Sequence, residues 1–291
     1  MKPTQFDYHA PETVNEAALI LAERGENAKV LAGGQSLIPM LALRLAVFDD
    51  LVDIGRIGEL KGIERRNGSL WVGAGTTETA VGASAEVASA VPLLARATPL
   101  IGHFQIRNRG TLGGSIAHAD PAAEYPAVAL ALDATMEAVS SRGLRSIAAR
   151  DFFDGVWSTS LMPDELLAGV SFPVWAGRRG FAVEEFTRRH GDFAIAGAAL
   201  GVELDGDDRI LRCAIGLIGL GSTPERALRA EAALVGQLVN DLDPEEVGRL
   251  AVANLESVPY DLHGSAEYRT QVGGVMVARA WVAASTEARR A

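Results

Sequence analysis

Apolar and polar positions along the chain follow two periods, about two residues in some stretches and about 3.6 in others, without strict strand–helix alternation. Thr13-Val14-Asn15-Glu16 is a capping box and predicts a helix to about Arg24, ended by Gly25. Residues 29–32 read as a short buried strand, and 37–45 as a buried helix with Pro39 in its first turn. Residues 51–54 form a further strand, and 63–66 pair with 70–73 across the turn Asn67-Gly68. Residues 83–102 look helical, with breaks at Pro92 and Pro99. A helix opened by Pro121 and capped by Asp120 runs to about Leu132. Strand patterns follow at 135–139, 144–148 and 166–172.

Pro, Gly and two arginines interrupt the pattern at 173–180. Beyond the break come strand-like runs at 181–187, 194–204 and 210–218, the last two joined by Asp205-Gly206-Asp207-Asp208. Three helices close the chain. One spans 224–236, one is capped by Asp243 with Pro244 in its first turn, and one spans 268–284. The last is marked by Tyr268, Val272, Val275, Ala278 and Val282 at helical spacing. This mixture argues for an α+β fold, with a small helix-covered sheet in the second half, rather than a doubly wound one.

At 291 residues the chain can hold two domains with substantial cores, and 48% hydrophobic with 22% charged residues is ordinary for a soluble globular protein. A net charge of −10 and the absence of a basic stripe argue against nucleic-acid or anionic-membrane binding. No apolar run reaches the ~18–20 residues that a membrane span needs. Met1-Lys2-Pro3-Thr4 lacks a signal-peptide pattern, so the expected compartment is the cytoplasm. The lone Cys213 excludes an intramolecular disulfide or an all-cysteine metal or iron–sulfur site within this chain. Its apolar surroundings make it a buried small hydrophobe.

Two glycine motifs carry the candidate chemistry: Ala32-Gly33-Gly34-Gln35-Ser36 and Thr111-Leu112-Gly113-Gly114-Ser115. Adjacent glycines let backbone N–H groups converge on a diphosphate, or simply make a tight turn. After the second motif, His118, Asp120 and Glu124 are placed to meet a ligand, Asp120 and Glu124 as acceptors from sugar or ribityl hydroxyls. Arg107 and Arg109 either pair with those acids or face solvent. Gly73-Ala74-Gly75 resembles half a dinucleotide fingerprint, but Glu78 stands in place of the third glycine, so it reads as strand-to-helix packing. Phe193 is either a strand-start core aromatic or a cover for a flat ring at a cleft mouth. No metal-ligand spacing, nucleophile elbow or phosphate-loop lysine is present. No catalytic acid, base or nucleophile stands out, which leaves the chemistry to a bound redox cofactor.

Together with Gly191-Asp192-Phe193-Ala194, residues 219–226 and residues 268–280, these motifs resemble the FAD-binding (medium) subunit of molybdenum hydroxylases. That group includes carbon monoxide dehydrogenase and is related to the flavin domain of xanthine dehydrogenase. The resemblance covers essentially the whole chain. It implies a PCMH-type FAD-binding domain over 1–175, built of two α/β subdomains. A smaller α+β domain with an antiparallel sheet and helices, of the CO dehydrogenase flavoprotein type, follows over 178–288. It implies FAD extended between them. The diphosphate is held by Lys29, Val30, Leu31, Ala32, Gly33, Gly34, Gln35, Ser36 and Leu37, and by Thr111, Gly113, Gly114 and Ser115. Asp120 and Glu124 meet hydroxyls, Ile101 and Gly102 approach the flavin or the diphosphate, and Phe193 flanks the isoalloxazine.

The implied partners are a large molybdopterin subunit that hydroxylates substrate and a small subunit with two [2Fe–2S] clusters, assembled as a dimer of heterotrimers. Electrons then pass through FAD to NAD⁺, a quinone, oxygen or another carrier. Three departures stand out: Phe104 where many relatives have proline, Phe193 for a tyrosine, and Glu184 and Glu185 in a region where relatives often carry lysine. A missing cation there disfavours an anionic reduced flavin. The competing readings are a stand-alone PCMH-type flavoprotein oxidase, for which no base is evident, and an FAD-free assembly subunit.

Overall fold

The computed structural model describes residues 2–291. Its first layer is a three-stranded parallel sheet of β1 (Asp7–His9), β2 (Ala28–Leu31) and β3 (Asp50–Asp53), in the order β1-β3-β2. Helix α1 (Val14–Arg24) is capped by Thr13, whose hydroxyl accepts the Glu16 N–H at 3.2 Å, and ends at Gly25. It buries Ala17, Ala18 and Leu21 against Val52 and Ile54. Helix α2 (Leu37–Ala42) carries Pro39 in its first turn but is shorter than the apolar run predicts. Only Leu41 is buried, while Ile38 and, beyond the helix, Leu43, Leu45 and Val47 are exposed. The run 37–45 is therefore a surface segment and not a core helix.

A five-stranded antiparallel sheet follows: β4 (Ile63–Arg66), β5 (Ser69–Gly73), β6 (Thr135–Ser140), β7 (Gly143–Ala148) and β10 (Leu166–Pro173), ordered β4-β5-β10-β6-β7. The β4–β5 hairpin turns at Asn67 and Gly68, both at positive φ as its two-residue turn requires. Between β5 and β6 lie α3 (Glu78–Ala83), α4 (Ala85–Ala90), α5 (Pro92–Ala97), α6 (Phe104–Arg107), α7 (Leu112–His118) and α8 (Glu124–Ala131). The predicted helix over 83–102 is thus three short helices and a 3₁₀ turn, broken at Ser84, Pro92 and Thr98–Leu100. Small strands β8 (Phe153–Gly155) and β9 (Ser158–Thr159) pair with each other.

Two sequence expectations fail here. Residues 111–115 are not the tight turn that adjacent glycines suggest. Thr111 is the N-cap of α7, and both glycines lie in that helix's first turn. Pro121 does not open the next helix, nor does Asp120 cap it: α8 begins at Glu124 with Ala123 as N-cap. The Asp120 carboxylate instead accepts the Ala122 N–H at 2.9 Å, a local turn that delays the helix.

The C-terminal sheet joins β11 (Arg178–Phe186), β12 (Ala196–Leu204), β13 (Ile210–Ile218) and the short β14 (Glu225–Arg226), antiparallel in that order. The helix predicted over 224–236 starts later, as α9 (Leu228–Leu234), because β14 takes the first residues. Asp243 caps α10 (Pro244–Val252), accepting the Glu245 N–H at 3.0 Å. The long α11 (Ala266–Arg290) buries Gly273, Met276, Val277, Ala280, Trp281 and Ala284. Most of the stripe that marks this helix in the sequence faces outward: Tyr268, Val275 and Val282 are exposed, and Val275, Ala278 and Val282 line an open groove beside α10, while Val272 packs against the C-terminal core.

One face of the C-terminal sheet closes onto α5 and α8, so Phe181, Ala199 and Ala214 belong to the same core as Val72, Val128 and Met136. Arg96 on α5 grips the Glu287 carboxylate of α11 with both guanidinium nitrogens, at 2.6 and 2.7 Å. Glu287 also accepts the Phe181 N–H at 2.9 Å. Cys213 is buried in the other core, and burial pushes its thiol well above the ordinary range.

Candidate functional site

The turn after β2 and the segment that leads from α6 into α7 meet beside a cavity of about 710 Å³. The sequence motifs converge there because backbone passes within contact distance of backbone. A Cβ on Gly33 would overlap the Arg109 carbonyl and lie 2.8 Å from Gly110 Cα. One on Gly113 would lie 2.6 Å from Ala74 Cα. One on Gly114 would touch the Ala32 methyl at 3.5 Å. At Gly33 and Gly113 the close approaches exclude side chains, so these two glycines serve contact with neighbouring backbone before they serve any ligand.

The two motifs differ in their amides. In the first, the N–H groups of Gly33, Gly34, Gln35 and Ser36 find no acceptor among the described residues. Ser36 precedes α2 without its hydroxyl capping the helix, and Gly34 takes φ +75°. These residues are half-buried, and four consecutive free N–H groups lining a cavity are a ready anion cradle. In the second motif, Leu112 N–H donates to Thr76 O at 3.0 Å and Gly113 N–H to Ala74 O at 2.9 Å. Gly114 N–H donates to Thr111 Oγ1 at 3.0 Å and Ser115 N–H to Thr111 O at 3.0 Å. What this motif offers a ligand is hydroxyls, not free amides.

The cavity is lined by Lys29, Val30, Ala32, Gly33, Gly34, Gln35, Ser36, Leu37, Ile101, Gly102, Thr111, Gly113, Gly114, Ser115, Asp120, Glu124 and Phe193. Leu31, expected among them, is not. Phe193 is 65% exposed at the rim beside Gly191 and Asp192, not in the core. Arg107 neither pairs with the acids nor faces free solvent. It donates to the carbonyls of Ile101 at 2.7 Å and Gly102 at 3.0 Å, fixing the turn that carries both.

Sequence reasoning missed Trp157. It lines the cavity at φ +56°, stacks on His118 with an 11° interplanar angle, and donates its indole N–H to Asp120 at 3.1 Å. Its N–H donates to the Ala119 carbonyl, another non-glycine residue at positive φ. Such strain persists only where surroundings over-determine it. An isolated exposed aromatic gives no sequence signal for this. Burial draws Lys29 and His118 toward their neutral forms, and Lys29 lies 5.7 Å from the Phe48 ring centre. The same cavity holds acids: burial pushes Glu124 up to about 8 and Glu78 up to about 7. Among the described residues no cluster suited to a metal ion occurs, and no helix is long and apolar enough to cross a membrane.

Comparison with known proteins agrees with this geometry. Residues 4–175 match the FAD binding domain in molybdopterin dehydrogenase, and residues 181–284 match the CO dehydrogenase flavoprotein C-terminal domain. The chain is 42% identical to the 6-hydroxypseudooxynicotine dehydrogenase complex subunit alpha of Paenarthrobacter nicotinovorans, over 99% of this chain and 97% of that one. The fold superimposes on carbon monoxide dehydrogenase from Hydrogenophaga pseudoflava with a TM-score of 0.95 and 39% identity, covering 99% of each chain. It superimposes on quinoline 2-oxidoreductase from Pseudomonas putida 86 with a TM-score of 0.93 and 37% identity, covering 99% of each. Free main-chain donors on one wall, hydroxyls and carboxyls on the other, and the matches along both halves lead to one assignment: the chain belongs to the FAD-binding medium subunits of molybdenum hydroxylases, a family of oxidoreductase subunits.

Proposed function

We propose that this chain carries FAD between its two halves and relays electrons from the [2Fe–2S] clusters of a small partner subunit to an external acceptor. A large molybdopterin subunit hydroxylates the substrate, and the complex is a cytoplasmic dimer of heterotrimers. The FAD-binding domain runs over 1–175 and the C-terminal domain over 178–288. The observation that carries the reading is the set of four unpartnered amides, Gly33 to Ser36, facing a cavity shared with the second motif. They suit the FAD diphosphate, with the Ser36 and Ser115 hydroxyls and the Lys29 ammonium beside them. Asp120 and Glu124 accept from, or when protonated donate to, the hydroxyls of the cofactor. Arg107 holds the turn of Ile101 and Gly102 against it, and Phe193 covers the rim. When bound, FAD accepts electrons singly or in pairs, which links one-electron donors to two-electron acceptors.

Relatives are named for different substrates, from carbon monoxide to quinoline, so likeness selects none of them. This fits a subunit that never touches the substrate. The visible spectrum of the natively expressed protein tests the proposal. A flavin spectrum, with two co-purifying polypeptides of which one is cysteine-rich, is expected. A chain that holds no flavin and accepts none on reconstitution contradicts it. So does one that alone turns over a small substrate.

A further inference from the structure

Three carboxyls behind the second motif have no ion-pair partner among the described residues. Glu78, the first residue of α3, is 4% exposed and lines the cavity. Its Oε2 is sealed from solvent and has no hydrogen-bond partner among the described residues. Glu124, the first residue of α8, is 7% exposed and lines the same cavity; its own backbone N–H is the one hydrogen-bond donor acting on it. Glu185 reaches this wall from β11. Along that strand Phe181 and Val183 pack toward the FAD-binding half, whereas Ala182 belongs to the C-terminal core and Glu184 lines the outer groove. Alternation therefore turns Glu185 inward, and its Oε2 is likewise sealed and unpartnered.

The charged and titratable surroundings are few. Arg107 on α6 acts on Glu78, but its guanidinium is bound to the carbonyls of Ile101 and Gly102. Asp120 adds negative charge beside Glu124, and Tyr125 keeps its proton, its hydroxyl bonded to Thr98 at 2.9 Å. No ion pair reaches any of the three glutamates among the described residues. Carboxyls that share a dry wall cannot all ionise. Burial first, then for Glu124 repulsion from Glu185, Glu78 and Asp120, holds Glu124 at about 8, and burial holds Glu78 and Glu185 at about 7.

We propose that Glu78, Glu124 and Glu185 act as a proton store for the FAD site, taking up one of the two protons that balance the two electrons delivered to the cofactor. The inference rests on the cofactor reading above. Two electrons arrive from the iron–sulfur clusters of the partner. One proton goes to the flavin ring and the other converts a carboxylate of the cluster to the acid. When the acceptor removes both electrons, both protons leave. The buried carboxyls then take up no further uncompensated negative charge, which a wall without an ion-pair partner resists.

The test is a spectroelectrochemical titration of the FAD-loaded complex between pH 6 and 10, for the wild type and for Glu78→Gln, Glu185→Gln and the double variant. Two protons per electron pair make the reduction equilibrium change about 100-fold per pH unit between pH 7 and 9. The double variant, in which Glu124 is the remaining store, is expected to fall below 100-fold, and adding Glu124→Gln is expected to bring about 10-fold. Equal proton counts in wild type and variants, with flavin retained, overturn the store and leave the cofactor reading standing. A complex without flavin fails the cofactor reading instead. If a variant loses flavin, the infrared carbonyl band of protonated carboxyls in the wild-type protein decides. A band that titrates between pH 7 and 9 upholds the store, and full ionisation by pH 6 overturns it.

Discussion

Residues 32–36 and 111–115 present almost the same letters and do different physical work. The first follows a parallel strand and leaves its amides unpaired at the cavity. The second opens a helix, and every amide from Leu112 to Ser115 already has an acceptor in the protein. A glycine pair in a sequence therefore announces a close backbone approach. Whether that approach is to a ligand or to another turn depends on where the neighbouring amides point. Around these motifs the cavity is two-sided: donors on the first wall, hydroxyls and acids on the second.

The hardest challenge to this contrast is to fill the glycines. Gly113→Val and Gly33→Val drive side-chain atoms into the backbone of Ala74 and Arg109, which rotamer changes cannot relieve. Each is expected to cost about 3 kcal/mol or more, read from thermal or urea unfolding of the apo chain. Full stability with loss of FAD alone would return both glycines to a ligand role.

The acid wall gives the next effect. Glu124 holds its proton to about pH 8 in the folded chain and releases it near the ordinary carboxylate range when unfolded. The native state then binds more protons between those values, so stability falls as pH rises through that window. Glu124→Gln is expected to be more stable than wild type at pH 8.5 by about 1–3 kcal/mol, and within about 0.5 kcal/mol of it at pH 5. Parallel pH–stability curves for the two proteins would contradict a protonated Glu124.

Gly34→Ala separates conformation from contact. Its φ is +75°, and an added Cβ meets only the ends of Ile38 and Leu31, at 3.1 and 3.3 Å. The fold should lose about 1–2 kcal/mol. FAD affinity should fall roughly tenfold, about 1.4 kcal/mol, as the amide cradle tilts. Unchanged affinity by flavin fluorescence titration would deny the first motif its role. The mildest probe is Thr111→Ala, which uncaps Gly114 and should lower stability by about 1 kcal/mol in the same unfolding assay.

Local signals were the legible part of the sequence. The Thr13 cap, the Asn67-Gly68 turn, the Asp243-Pro244 start and the long strands 196–204 and 210–218 all depend on neighbours in the chain. Tertiary decisions were not legible. Most of the α11 stripe and most of the run 37–45 are apolar without being buried, and periodicity cannot say which face a partner element will cover. The cavity residues carrying glycine or charge could be found by type. Trp157 and the inward turn of Glu185 depend on strain and on strand alternation, which only the folded chain displays.

The central claim is that four free amides grip the cofactor diphosphate while the second motif's amides stay paired within the protein. Amide ¹⁵N–¹H spectra of the isotopically labelled chain, recorded with and without FAD, test it directly. Large downfield proton shifts at Gly33, Gly34, Gln35 and Ser36, with Gly113 and Gly114 nearly still, are the expected result. Large shifts at Gly113 and Gly114 with none in the first motif would contradict it.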